Sequence, residues 1–239
     1  MAAKINNGKE IQERLKFAKN YNDWIVSQFE EYFGDKIIEI GCAIGNITER
    51  LLKYGFVYAI DIDKDYVNVV KKRFKKSGNF AAEYIDVCNN DFSKYKANSI
   101  STVICFNVLE HIKNDCLALR NMYSVLPVNG KLCLLIPAFK FLYGQMDKTD
   151  NHYRRYGKSE ILSKVELAGF RVKVCRYMNA PGFFGWLINS RVFKKRYIPF
   201  RQMLLLERLI PAIRFLEHLI PVPFGQSIVV VAEKPEESD

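Results

Sequence analysis

Residues 39–46 read Glu-Ile-Gly-Cys-Ala-Ile-Gly-Asn, and an acid, Asp61, stands twenty residues beyond the first of the two glycines. Glycine lets a backbone turn sharply and lets a ligand approach main-chain atoms closely. Asp61 closes the apolar run FVYAID, where its carboxylate can accept hydrogen bonds from both hydroxyls of a ribose. The spacing of Gly41, Gly45 and Asp61 therefore suits a nucleoside. A dinucleotide would call for glycine at 43 and 46, where the chain has Ala43 and Asn46. Glu39 would also repel a pyrophosphate but not a nucleoside that carries positive charge.

A second group of chemically capable residues lies further on. His111, in LEHIKND, has the near-neutral pKa of a proton acceptor. The competing reading, a histidine at a helix start bonded to backbone, stands beside it. Glu110 could orient His111 or join it on a metal, but the sequence shows no further clustered ligands and no metal is expected. His152 opens the run His152-Tyr153-Arg154-Arg155-Tyr156. Two arginines among tyrosines can clamp a phosphate or carboxylate with bidentate hydrogen bonds; alternatively they pair with surface acids. His111 and His152 are the candidate catalytic residues, and Tyr153, Arg154, Arg155 and Tyr156 the candidate substrate-binding ones. His218 falls in an amphipathic stretch and reads as surface.

These residues need elements to position them. Residues 9–33 have helical spacing of apolar groups (Ile11, Leu15, Phe17, Trp24, Ile25, Phe29) and stop before Gly34. Short apolar runs then alternate with helical patterns: KIIEIG, FVYAID, FAAEYIDV, ISTVICF and GKLCLLIP as strands, with helices at ITERLLKYG, from about Asp65, and at HIKNDCLALRNMYSVL. Strands that are nearly continuous apolar runs predict a parallel sheet covered on both faces and doubly wound, with ligands at the strands' carboxyl ends. After residue 137 come a polar, aromatic loop (138–157), a helix (Ser159–Ala168), a strand (Phe170–Tyr177) and an aromatic, basic insertion (181–220). A last strand, QSIVVVAEK, and a frayed PEESD tail complete the chain. The expected organisation is a single domain over 1–239: a helical cap (1–35), a ligand-binding core (36–137), an acceptor-side region (138–225) and the final strand (226–234).

Composition sets bounds on partners. With 239 residues, 49% hydrophobic and 26% charged, the chain can bury a full core. No stretch of about 18 residues is free of charge, so neither a spanning helix nor a secretory leader is expected. The six cysteines lack metal-ligand spacing and read as reduced core or near-core thiols of a cytoplasmic protein. A net charge of +10 points to an anionic partner. In the insertion, Met203–Ile220 has apolar groups at helical spacing, broken or kinked at Pro211, and basic residues surround it. Residues 181–220 are read either as a cap or dimer contact, or as a segment lying in a membrane interface on the inner face.

Taken in order, EIGCAIGNIT, AIDID, YIDV, FNVLEHI and LPVNGKLCLLIP resemble the successive motifs of class I (Rossmann-like) S-adenosylmethionine-dependent methyltransferases over residues 37–137. The resemblance implies a seven-stranded, mostly parallel, doubly wound α/β sheet with helices on both faces, and S-adenosyl-L-methionine as cofactor. It implies that Glu39, Gly41, Ala43 and Gly45 line the methionine part of the cofactor. Asp61 and Ile62 would take the ribose, Asp86 and Val87 the adenine, and Phe106 and Asn107 the space under the methyl group. Tyr21 either closes over the cofactor or packs its helix on the core. Ala43 departs from the family's usual glycine and narrows that cleft by one methyl group. The HYRRY run, GWLIN and PFGQS also resemble a subgroup of bacterial and archaeal methyltransferases found near glycosyltransferase genes. That implies a small acceptor, anionic or lipid- or sugar-linked, with O-methylation favoured. A nucleic-acid methyltransferase is the first alternative, supported by charge, although Phe106-Asn107-Val108-Leu109 is not the tetrad used on adenine amino groups. A non-catalytic binding protein that kept the fold is the second, hinted at by Ala43 alone.

Overall fold

The computed structural model describes residues 18–236. Ile11, Leu15 and Phe17 of the expected first helix lie outside the described residues; what is described of it is α1 (Lys19–Ser27). Seven strands follow: β1 (Lys36–Ile40), β2 (Phe56–Asp61), β3 (Phe80–Tyr84), β4 (Thr102–Phe106), β5 (Lys131–Pro137), β6 (Arg171–Met178) and β7 (Ser227–Glu233). They form one sheet in the order β3-β2-β1-β4-β5-β7-β6. All neighbours are parallel except β7, which runs antiparallel to both β5 and β6. The expected doubly wound, mostly parallel seven-stranded sheet is the fold.

Each central strand feeds two cores because successive side chains point to opposite faces. Ile38, Val103, Leu132, Leu134 and Val230 join one buried cluster. Their strand neighbours Ile37, Ile104, Cys133, Leu135, Val229 and Val231 join the other, with Trp24 and Phe29 from the N-terminal segment. Both faces being buried is why these strands read as unbroken apolar runs. The helices between them, α2 (Thr48–Leu51), α3 (Lys64–Arg73) and α4 (Asp115–Val125), cover the faces. Asp63 and Asn114 cap α3 and α4, their side-chain oxygens accepting from Asp65 N at 2.8 Å and Leu117 N at 3.1 Å. Strand order reverses between β1 and β4, which opens a crevice at their carboxyl ends.

The 138–157 region, expected as loop, contains a short helix, α5 (Gln145–Thr149). Next come α6 (Lys158–Leu167), α7 (Ala180–Trp186) with a π-helical turn (Leu187–Val192), and α8 (Phe200–Leu219). Of the break or kink expected at Pro211, the break does not occur: α8 runs continuously through it. Proline lacks the N–H that would bond the carbonyl four residues back. That carbonyl, of Glu207, is taken instead by the side-chain amide of Asn20 on α1, 3.1 Å away. A tertiary donor thus satisfies the group that proline frees. All six cysteines are free; Cys42, Cys105 and Cys133 are buried as expected of core thiols, whereas Cys116 is exposed.

Asn20→Ala is expected to cost about 1 kcal/mol in urea denaturation. Pro211→Ala, which restores an in-helix donor for Glu207, is expected to remove most of that cost in the double variant.

Candidate active site

The cofactor-side loop is built by backbone geometry. At the end of β1 the N–H groups of Gly41 and Cys42 both donate to the Ile60 carbonyl, at 2.8 and 3.0 Å. Gly41 has φ +77, and a side chain there would meet Val108 Cγ2 at 2.3 Å, so glycine is required. Ala43 has φ +45, a left-handed conformation that strains any residue with a Cβ. Its N–H donates to Asp61 Oδ2 at 2.9 Å, while Asp63 N donates to Oδ1 at 2.9 Å. One carboxylate therefore ties the ends of β1 and β2 together and keeps lone pairs to spare. Gly45 (φ +85) donates its N–H to the Cys42 carbonyl at 2.8 Å and closes the turn without lining the cavity.

Two acids are buried side by side here. Glu39 is 3% exposed and accepts from Thr48 Oγ1 at 2.5 Å. Burial pushes its carboxyl up to about 8, and the nearby Asp61 charge adds to the rise. Burial also raises Asp61 above the usual carboxylate range, against the two backbone N–H groups that hold it down. A cationic ligand would relieve both, which fits a positively charged nucleoside and not a pyrophosphate. Further along the same crevice, Asp86 accepts from Cys88 N at 2.8 Å and Val87 is buried. Phe106 stacks on Phe29 at 4.6 Å, and Asn107, at φ +53, donates its N–H to Leu135 O at 2.7 Å.

The part of the crevice beyond β4 is organised around Asp147, which has no exposed side-chain surface. Its Oδ1 accepts from Arg155 Nε at 2.6 Å and pairs with His152 Nδ1 at 3.0 Å. Its Oδ2 accepts from Gly144 N at 2.8 Å and from Trp186 Nε1 at 3.1 Å. The other ring nitrogen of His152 meets Asp150 Oδ2 at 3.2 Å. Burial opposes a charged imidazole, but the Asp147 and Asp150 hydrogen bonds outweigh it and lift His152 to about 9. Burial and the neighbouring His152 cation lower His111, whose ring lies 4.6 Å from that of His152, to about 4. Among these groups Asp147 and Asp150 balance His152 and Arg155. Glu110 is the odd one out: it is fully buried, and neither carboxylate oxygen has a hydrogen-bond partner among the described residues. Burial pushes it to about 7, with the His152 charge pulling the other way.

One cavity of about 830 Å³ joins the two sides. Of the residues expected from sequence, Tyr21, Glu39, Gly41, Ala43, Asp61, Ile62, Asp86, Val87, Phe106, Asn107, His111, His152 and Arg155 line it. Tyr153, Arg154 and Tyr156 do not. Tyr156 is buried with its hydroxyl donating to Asp115 Oδ2 at 3.0 Å, Arg154 pairs with Asp115 at 2.8 Å, and Tyr153 is exposed. Arg155 lies buried with its guanidinium 4.4 Å over Trp186 and one nitrogen, Nη2, without a partner among the described residues. Thus the expected two-arginine clamp is split, each guanidinium being held by a separate acid. Sequence reasoning missed Asp147, Asp150, Trp186 and the basic strength of Glu110. A region read as loop offered no helix for Asp147 to cap, and only tertiary burial makes Glu110 basic. Ligand atoms of Glu110, His111 and His152 lie within 4.8 Å of one another, a spacing a divalent ion could bridge. His152, however, engages both ring nitrogens with carboxylates and so offers no lone pair.

Residues 38–134 match the family model described as methyltransferase domain. Over 98 residues the chain is 46% identical to a protein of Methanococcoides burtonii named as a probable ribosomal RNA small subunit methyltransferase A, covering 37% of this chain and 36% of that one. Over 162 residues it is 25% identical to the ubiquinone biosynthesis O-methyltransferase of Xanthomonas euvesicatoria, covering 62% and 67%. The chain spans less than half the length of the first curated relatives it matches. In fold it is similar to a SAM-dependent methyltransferase from Archaeoglobus fulgidus (TM-score 0.61, 16% identity, 94% of this chain and 99% of that one). It is also similar to Haemonchus contortus phosphoethanolamine N-methyltransferase 2, solved with S-adenosyl-L-methionine (TM-score 0.62, 17% identity, 91% and 53%). Residues 38–134 thus match a methyltransferase-domain family, on a fold shared with solved S-adenosylmethionine-dependent methyltransferases, and S-adenosylmethionine is the cofactor that match supports.

Glu39 supplies a pH test. Its folded pKa of about 8 lies above the ordinary 4.5, so the stability linked to it is complete below pH 4.5 and lost as pH rises through 8. Thermal denaturation across this range is expected to show a falling melting temperature in the wild type and a flatter profile in Glu39→Gln.

Proposed function

We propose that the chain transfers a methyl group from S-adenosylmethionine to a hydroxyl of a small acceptor, and that Glu110 is the general base. The observation that carries this reading is a buried, unpartnered carboxylate with a pKa near neutrality, in the same cavity as Glu39 and Asp61. When bound, the cofactor supplies a methyl group on positively charged sulfur. Glu39 and Gly41–Ala43 would hold its amino-acid part, Asp61 its ribose, and Asp86 and Val87 its base. The residues beside β4 then have two tasks, alignment of the hydroxyl and removal of its proton. Ionised Glu110 can accept that proton. His111, at about 4, stays neutral at physiological pH and can hydrogen-bond the acceptor without competing charge. His152 is a fixed cation, better suited to stabilising ionised Glu110 than to accepting a proton.

The acceptor is read as anionic or lipid- or sugar-linked. Lys113, Arg155 and Arg196 are the cationic residues of the lining that support an anionic part, since Arg154 is committed to Asp115 outside the cavity. The apolar side chains Trp186, Ile198 and Met203 in the lining suit a lipid-linked one. A nucleic-acid acceptor is the second reading, favoured by the net charge of +10 and by the 46% identity of one segment to the relative named for ribosomal RNA.

Methyl-labelled cofactor incubated with protein and lysate separates these readings. Label in the organic phase supports the lipid-linked acceptor, label in nucleic acid supports the second, and no transfer overturns both. With the acceptor in hand, kcat is expected to fall as pH drops below about 7, where Glu110 is protonated. Glu110→Gln should lower kcat by roughly 10²-fold or more and abolish that limb, with cofactor affinity in calorimetry unchanged. An unaltered pH limb in the variant would remove Glu110 from the role.

A further inference from the structure

Helix α8 is apolar on two sides. Met203, Leu206, Ile210 and Ile213 turn inward, where Leu206, Ile210 and Ile213 pack on the core and Met203 lines the cavity. Leu205, Leu209, Ala212, Leu216 and Leu219 recur every three or four residues on the outward side, and the four leucines are 49–59% exposed. A helix that is apolar all round is normally buried. The preceding segment adds exposed Phe184, Ile188, Val192 and Phe193. Such a surface, several large apolar groups on neighbouring elements, marks a contact site.

Charge identifies what it contacts. Between Trp186 and Gly225 the sequence has seven lysines and arginines, from Arg191 to Arg214, against two acids. Both acids are used inward: Glu207 accepts from the backbone N–H groups of Asn20 and Tyr21, and Glu217 from those of Asn179 and Ala180 at 2.9 and 2.8 Å. The outer surface is therefore apolar and cationic, with no carboxylate of its own to balance it. A second copy meeting this surface through its own would bring like charges together. A nucleic acid would neutralise the cations but strand the leucines in water. An anionic bilayer takes both, the leucines in the acyl boundary and the cations among headgroup phosphates. No helix among the described residues is long and apolar enough to cross a membrane, so the contact is a peripheral one.

We propose that the outer surface of residues 184–220 docks on an anionic lipid bilayer. The same segment supplies Arg196, Tyr197, Ile198 and Met203 to the cavity wall, so docking sets the cavity beside the membrane surface. This inference stands whatever the acceptor proves to be; if the acceptor is lipid-linked, docking is how it is reached.

The test is vesicle flotation of the full chain without cofactor. Vesicles of phosphatidylcholine alone are compared with vesicles that also contain phosphatidylglycerol, at low and high salt. Binding is expected to be roughly tenfold or more tighter with phosphatidylglycerol and to weaken with salt. The variant Leu209→Glu/Leu216→Glu, whose sites are exposed and outside the cavity, should lose binding while keeping wild-type circular dichroism and cofactor affinity. Absence of flotation on either vesicle, or equal flotation of wild type and the folded variant, overturns the proposal. So does a wild-type dimer in light scattering that the variant dissociates, which would assign the face to a second copy. None of these readouts uses methyl transfer, so the docking proposal and the proposed function fail separately.

Discussion

The far end of the cavity, beyond β4, depends on one buried carboxylate. Asp147 accepts hydrogen bonds from the N-terminus of its own helix, from Arg155, from His152 and from the indole of Trp186. Burial alone would keep such a group neutral, but these donors outweigh desolvation and hold it below its ordinary pKa. Through them it joins two segments: the 138–157 connection, where Arg155 also donates to Ala138 O at 3.0 Å just past β5, and the helical insertion. Removing one member would leave charges buried without partners, which is the costly way to break a network.

That balance has a consequence for chemistry. Because Asp147 and Asp150 are matched by His152 and Arg155, the carboxylate left without a partner among the described residues of this network is Glu110. Its carboxyl sits in the same low-dielectric space without a hydrogen bond, and its affinity for a proton reflects that. The cofactor side is arranged differently. There Asp61 and Glu39, the latter held largely protonated at neutral pH by burial, are two neighbouring acids without a cation among the described residues close enough to neutralise them, an arrangement that awaits positive charge from outside the protein. The cavity thus has an anionic end by the β1 loop and an internally compensated end beyond β4.

The sheet was legible in the sequence because burial on both faces makes each strand an uninterrupted apolar run, and these runs occur at regular intervals between helical patterns. Gly41 and Asp61 were legible for a similar reason: a turn that tolerates no Cβ and an acid at a strand end are local requirements, met by residue type. The 138–157 region was not, since its short helix is held by contacts to Trp186 and Ser190 rather than by its own periodicity. Nor was the course of α8, because proline within a helix is unfavourable unless a distant donor serves the carbonyl it frees, and Asn20 does so.

Sequence alone therefore determined the class of fold, the order of its strands along the chain and the tight turn after β1, all set by local pattern and by sterics within a few residues. Tertiary structure decided how the ionisable groups behave. It split Arg154 from Arg155, gave His152 two carboxylate partners, left His111 neutral and raised the Glu110 carboxyl toward neutrality. Proton affinity depends on burial and on charges a few ångströms away, and those neighbours come from parts of the chain that only folding brings together.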